Sequence, residues 1–184
     1  NPVFAHTGDK FQTEFDYSGG GLKPLTLSRN YLSTSFPRLI RTPLRNYGLS
    51  DYWRTNYDLR MQTYTGTTVT SKVVLRPDGS TWYFYRSGST WTGRAEQSES
   101  LTDIIVGGAT TGWKLKLSDN IVEEYDLQGR AVAIIELGGW RRDIAYNAND
   151  LIATVTDSLG RQLVFSYDAD GNLATVGTPD GDIS

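Results

Sequence analysis

The chain has 184 residues, 38% hydrophobic and 12% aromatic, which is room and apolar material for one domain or two small ones and excludes a wholly disordered chain. Nothing in a net charge of −3, from 18 basic and 21 acidic residues, argues for bulk attraction to nucleic acid or to an anionic membrane. With no cysteine there is no disulfide, zinc ribbon or thiol nucleophile, while 19 glycines and 11 tyrosines point to a β-protein rich in turns.

In chain order, the first stretch is the basic one. Residues 1–60 hold eight Lys/Arg and five Asp/Glu, a balance of +3; residues 61–184 hold ten and sixteen, a balance of −6. His6, the sole histidine, sits in "AHTGD", and with no Gly-x-Ser-x-Gly in the chain it reads as a surface-loop residue rather than a catalytic base. Between 29 and 60, Arg29, Arg38, Arg41, Arg45, Arg54 and Arg60 face only Asp51 and Asp58. Tyr31, Phe36, Tyr47, Tyr52, Trp53 and Tyr57 are interleaved with them. Such a mixture can grip phosphates and stack bases. It can equally fold so that the arginines stack on rings and pair with acidic partners, and the acidic balance downstream favours that second reading.

Strand signals follow. "STWYFYRSG" is dense in aromatics, "GWKLKLSD" alternates Trp113, Leu115 and Leu117 with Lys114 and Lys116, and "RQLVFSY" alternates Leu163, Phe165 and Tyr167 with Gln162, Val164 and Ser166. Between strands lie "RPDGS", "DLQGR", "DADGN" and "TPDGD", in which Gly or Asn takes the positive φ of a tight turn. No stretch carries a sustained helical pattern, no segment approaches the apolar length of a membrane span, and no signal peptide opens the chain.

The last third repeats. Tyr125-Asp126, Tyr146-Asn147 and Tyr167-Asp168 recur at a spacing of 21 residues. Four residues after each tyrosine come Gly129, Asp150 and Gly171; fourteen after come Gly139, Gly160 and Gly181. Val132/Ile134, Ala153/Val155 and Ala174/Val176 occupy matching positions, and Ile144 and Phe165 precede the next tyrosine by two. Each unit therefore reads strand, turn, strand, turn, and each stacks on its neighbour because it buries little alone. An older copy is suggested by "VLRPDGSTWYFY". The tyrosines read as packing residues whose rings stack from repeat to repeat and whose hydroxyls reach a carbonyl or water, and the following Asp starts the turn by accepting a backbone N–H two residues on.

Other chemistry is weaker. "DADGN" lacks the further oxygen ligands of a calcium loop and reads as a hairpin turn, so no metal is expected. Glu123 and Glu124 are adjacent and point to opposite faces of a strand, so they form no glycosidase pair. Trp53, Trp82, Trp91, Trp113 and Trp140 are candidate sugar platforms, with core or wall packing the stronger reading for most of them.

"YDLQGRAVAI" and "YDADGNLATV" resemble the YD repeat of Rhs (rearrangement hot spot) and teneurin-type proteins, with Ala131 in place of the usual leucine. The middle unit departs from it at Asn147 and Asp150. The opening "NPVFAHTGDKFQTEFDYSGGGLKPLTLSRNYLS" and the later "YGLSDYWRTNYDLRM" resemble the segment before the repeats in bacterial Rhs proteins, with Tyr52 replacing a glycine. The resemblance covers nearly the whole chain, most loosely at 86–111.

It implies an all-β fold: an antiparallel meander of repeat hairpins, part of a curled sheet or shell wall. The expected organisation is an N-terminal segment at 1–66 acting as plug or cap, aromatic hairpins at 67–117, and repeats at 118–184. The resemblance further implies a non-enzymatic wall that encapsulates a C-terminal toxin of the same longer chain and helps deliver it in interbacterial competition. The alternative is a module binding carbohydrate or a surface partner. No cofactor and no nucleic acid are implied. Partners would be the remaining repeats, the toxin and components of a secretion system such as type VI, and the location would be secreted or delivered to a target cell. The family's self-cleavage uses Asp-Pro motifs; none occurs here, so that activity is not carried over. The chain opens without methionine and stops just past a turn, as a piece of a longer chain would. Its last strand, near 172–184, is expected to leave an edge that recruits another copy, is covered by the N-terminal segment, or frays.

Overall fold

A computed structural model describes residues 3, 8–33, 49, 52–67 and 69–184. His6, Phe36, Arg38, Arg41, Arg45, Tyr47 and Asp51 of the basic stretch lie outside the described residues. Among the described residues every regular element is a strand, and every pairing given is antiparallel. The all-β meander expected from the sequence is what forms; it is not closed into a barrel.

Three sheets follow in chain order. The first holds β1 (Phe11–Ser18), β2 (Thr26–Leu32) and β3 (Trp53–Thr55). The second holds β4 (Arg60–Thr65), β5 (Thr70–Leu75), β6 (Thr81–Ser87) and β7 (Thr90–Gly93). The third is a nine-stranded meander of β8 (Ser100–Val106), β9 (Ala109–Lys116), β10 (Val122–Asp126), β11 (Ala131–Ile135), β12 (Arg141–Tyr146), β13 (Ile152–Asp157), β14 (Gln162–Tyr167), β15 (Leu173–Thr178) and β16 (Gly181–Ile183). Its strand order is the chain order, because turns of two to five residues leave each strand nowhere to go but back beside the last.

The chain divides into two compact units. The first comprises residues 1–58, 77–79 and 144–184; the second comprises 59–76 and 80–143. In the second unit Met61, Val74, Leu75, Phe84, Leu101, Leu115, Tyr125, Ala131 and Ala133 are buried. In the first, the buried set includes Leu25, Leu27, Tyr57, Ile144, Ile152, Val155, Leu163, Phe165 and Val176. Period-two burial along β14, with Leu163 and Phe165 inside and Gln162, Val164 and Ser166 outside, is the pleat at work. Each large aliphatic or aromatic side chain so buried contributes about 2 kcal/mol.

Candidate functional site

Six hairpin turns of the meander share one backbone frame. The residue opening the turn donates its N–H to the carbonyl four residues on and accepts, at its own carbonyl, the N–H three residues on. Leu117, Asp126, Glu136, Asn147, Asp157 and Asp168 open these turns, with N···O distances of 2.8 to 3.1 Å. The third residue beyond each opener has a positive φ: Asn120, Gly129, Gly139, Asp150, Gly160 and Gly171, between 65° and 83°. This is the three-residue hairpin loop closed by a left-handed residue. Successive openers lie nine to eleven residues apart, so two turns and two strands make one 21-residue unit. Gly181 departs from this frame. It opens β16 after a tighter turn in which Thr178 Oγ1 donates to its carbonyl at 2.6 Å.

Four openers add a side-chain clamp. One oxygen of each of Asp126, Asn147, Asp157 and Asp168 accepts the N–H groups two and four residues on, at 2.8 to 3.1 Å. The second oxygen of Asp126 and of Asp157 takes the guanidinium Nε of Arg130 and Arg161, each at 2.7 Å. Burial opposes ionisation of Asp157, but the Arg161 guanidinium and two turn N–H groups outweigh it and hold the carboxyl below its usual range. The N–H and side-chain amide of Asn172, with the neighbouring turn N–H groups, hold Asp168 low in the same way. The sequence reading found Asp126, Asn147 and Asp168 through their tyrosines and missed Asp157. Its signal was there, in the recurrence of Asp-x-x-Gly-Arg at 126–130 and 157–161.

The motif tyrosines fall on β10, β12 and β14, every second strand. Two strand spacings come to roughly 10 Å, beyond the ~7 Å of a stacked pair. The rings therefore do not stack from repeat to repeat, as the sequence suggests; their packing neighbours are on the adjacent strands, with Tyr125 opposite Trp113 and Ala131, and Tyr167 opposite Leu173. The register slips at both tyrosines, a bulge that re-aims the side chain at the turn. Tyr167 donates to the Ile152 carbonyl at 2.8 Å, whereas Tyr125 donates to the Glu123 carboxylate at 2.6 Å. Tyr125 is buried; Tyr146 and Tyr167 are half-buried.

Glu123 is the centre of an anchor in the second unit. Its carboxylate, 2% exposed, is held by Arg76 Nη1 at 2.5 and 2.7 Å and by the Tyr125 hydroxyl. Beside it the first repeat turn joins β4. Met61 donates its N–H to the Gly129 carbonyl at 2.7 Å, Ala131 donates to the Leu59 carbonyl at 3.3 Å, and Arg60 bridges Arg130. A Cβ on Gly129 would run into the Met61 carbonyl, so glycine is required there for space as well as for φ. In the first unit Arg161 plays the tying role. Its guanidinium donates to the carbonyls of Gly20 and Lys23, both at 2.8 Å, and Tyr17 donates to Asp180 at 2.7 Å. The β1–β2 loop is thereby tied to the turns of the last strands.

The five tryptophans are scattered through packing sites. Trp53 lies against Tyr31, centroids 5.2 Å apart, beneath the Arg29 guanidinium. Arg29 is itself paired with Asp16 at 2.7 Å, and Arg54 is buried and donates to the Trp53 carbonyl. Trp91 donates Nε1 to Asp103 at 2.8 Å. Trp113 lies under the ammonium of Lys72, 3.1 Å from the ring centroid. Lys72 is 1% exposed and donates to Thr63 Oγ1 at 2.7 Å. Burial lowers its pKa to about 8, against the pull of nearby Asp103. Trp140 is half-buried and its Nε1 has no partner. Trp82 carries the Arg76 guanidinium at 4.7 Å on its ring and lines a surface groove. Among the described residues no group of three or more His, Cys, Asp or Glu could hold a metal ion.

Comparison with known families places two matches on this geometry. Residues 146–183, the second and third tyrosine units, match the model of the RHS repeat. Residues 1–84 match the model of a domain of unknown function, DUF6531. No curated protein matches the chain.

Proposed function

Since the chain carries the RHS repeat and is an Rhs/YD-repeat protein, we propose that it is an N-terminal stretch of a shell wall. The shell encloses a C-terminal toxin of the same longer chain and helps deliver it in competition between bacteria. The observation that carries this reading is the turn frame: one five-residue closure, repeated at nine- to eleven-residue steps, adds strand after strand in chain order. A sheet built this way satisfies its backbone along its length and can be extended by further repeats without new design. Among the described residues β16 stands at the end of the strand order with β15 as its one paired neighbour, so it is where a further strand would add. The segment's role is mechanical, the surrounding repeats and the toxin are its partners, and secretion-system components carry the assembly out of the cell.

The test is limited proteolysis of the full-length chain. With an intact wall the toxin resists protease under native conditions, and loosening the anchor by Arg76→Ala makes it digestible. A toxin equally accessible in both chains would overturn the proposal.

A further inference from the structure

The β1–β2 connection, "SGGGLKPL", lies outside the repeat frame and carries three glycines in a row. Gly19 donates its N–H to the Leu25 carbonyl at 2.9 Å and so closes a loop in which Gly21 and Lys23 both take a positive φ, 84° and 53°. For Lys23, which carries a Cβ, that is an unfavourable conformation. The path turns three carbonyls toward one guanidinium. Those of Gly20 and Lys23 accept from Nη1 and Nη2 of Arg161 at 2.8 Å each, and that of Leu22 lies 3.4 Å from Nη2. The third nitrogen, Nε, is held by Asp157 at 2.7 Å. The glycines differ in what they are for. A Cβ on Gly19 would meet the Tyr17 hydroxyl, which crosses there to donate to Asp180. Gly21 is set by its φ, and a Cβ on it would touch Arg161 Nη1 at 3.6 Å. Gly20 has neither a positive φ nor a neighbour within 4 Å of a Cβ.

We propose that the Gly19–Lys23 loop is a guanidinium-binding cradle whose resident ligand is Arg161, a clasp that fixes the N-terminal sheet to the meander. A guanidinium is planar, always charged, and carries its donors on three nitrogens in a fixed fork, so it can engage Asp157 with one nitrogen and separated carbonyls with the other two. An ammonium has three donors on a single nitrogen and cannot span the same acceptors. The acceptors that the loop supplies are neutral carbonyls, so selection comes from the shape of the fork and from charge-assisted hydrogen bonds. The ligand class is therefore an arginine whose Nε is already held by an aspartate, as in the Asp-x-x-Gly-Arg turn at 157–161. The strain at Lys23 has a physical reason on this reading: it brings the third carbonyl round to the guanidinium. Cradle and ligand lie in the first unit, and the site is independent of the wall reading.

The test is chemical rescue in the whole chain. Arg161→Ala empties the cradle, and amide hydrogen exchange at Gly19 reports whether the loop is closed. Exchange there is expected to be about tenfold faster or more than in the unaltered chain. Ethylguanidinium at up to about 50 mM should restore the slow exchange, and ethylammonium at the same concentration should not. A second pair of variants keeps Arg161 in place. Gly21→Ala should speed exchange at Gly19, whereas Gly20→Ala should leave it unchanged. Exchange at Gly19 indifferent to Arg161→Ala would overturn the proposal. So would restoration by both cations or by neither, or equal effects of the two glycine substitutions.

Discussion

The turns Asp126–Arg130 and Asp168–Asn172, the first and last of the four with a side-chain clamp, are built on the same frame and do different work. Both close through the same two backbone hydrogen bonds and the same aspartate clamp. The first is docked: its glycine carbonyl and the Ala131 N–H continue a ladder at the start of β4, its tyrosine is buried, and a buried carboxylate beside it is paired with arginine. The last has no neighbour within 4 Å of where a Gly171 Cβ would sit, and its tyrosine is half-buried. Five residues suffice to make the turn; what the turn is for depends on what lies against it. Local signals therefore specify the repeat, and neighbours specify which repeat is an anchor.

The largest expected effect breaks the anchor. Arg76→Ala leaves the Glu123 carboxylate buried without its cation and should cost about 3–5 kcal/mol, read as a lower urea midpoint at unchanged slope. Gly129→Ala should cost about 3 kcal/mol, from the left-handed φ and from the clash with the Met61 carbonyl. Gly171→Ala, strained in φ alone, should cost about 1 kcal/mol. Equal losses at the two glycines would erase the distinction between docked and free turns. Asp157→Ala removes a fully buried carboxylate that accepts two turn N–H groups and pairs with Arg161, and about 2 kcal/mol is expected. The same change at Asp168, in the open turn, should cost less.

A further effect is in pH. Lys72 titrates at about 8 in the folded chain and at 10.5 ordinarily. Between those values the unfolded chain binds more protons, so this residue makes stability rise with pH across that window. Below about pH 8 both states are protonated and the burial penalty is carried in full. Subtracting the stability of Lys72→Met at each pH should isolate this slope, and a flat difference would mean that the contacts to Trp113, Trp91, Thr63 and Asp103 leave the ammonium unperturbed, with Arg86 nearby.

Much of the fold was legible because its code is local. A positive-φ glycine, an aspartate that clamps its own turn and a period-two strand can each be read from a few residues, and Tyr125, Tyr146 and Tyr167 marked the units. Asp157 escaped because no tyrosine precedes it, although its Asp-x-x-Gly-Arg spelling matched. The anchor was not legible at all. Arg76 and Glu123 lie 47 residues apart, and Glu123 had been weighed only against its neighbour Glu124. Lys72 likewise gave no sign of lying on Trp113, because a contact between β5 and β9 leaves no pattern in either strand.

The measurement that bears most directly on the wall is amide hydrogen exchange on this chain, with light scattering on the same sample. Slow exchange through β10–β15, with rapid exchange at 181–183 or association of copies through that strand, is the expected result for a sheet built to be continued. A compact monomer protected uniformly through residue 183 would contradict it.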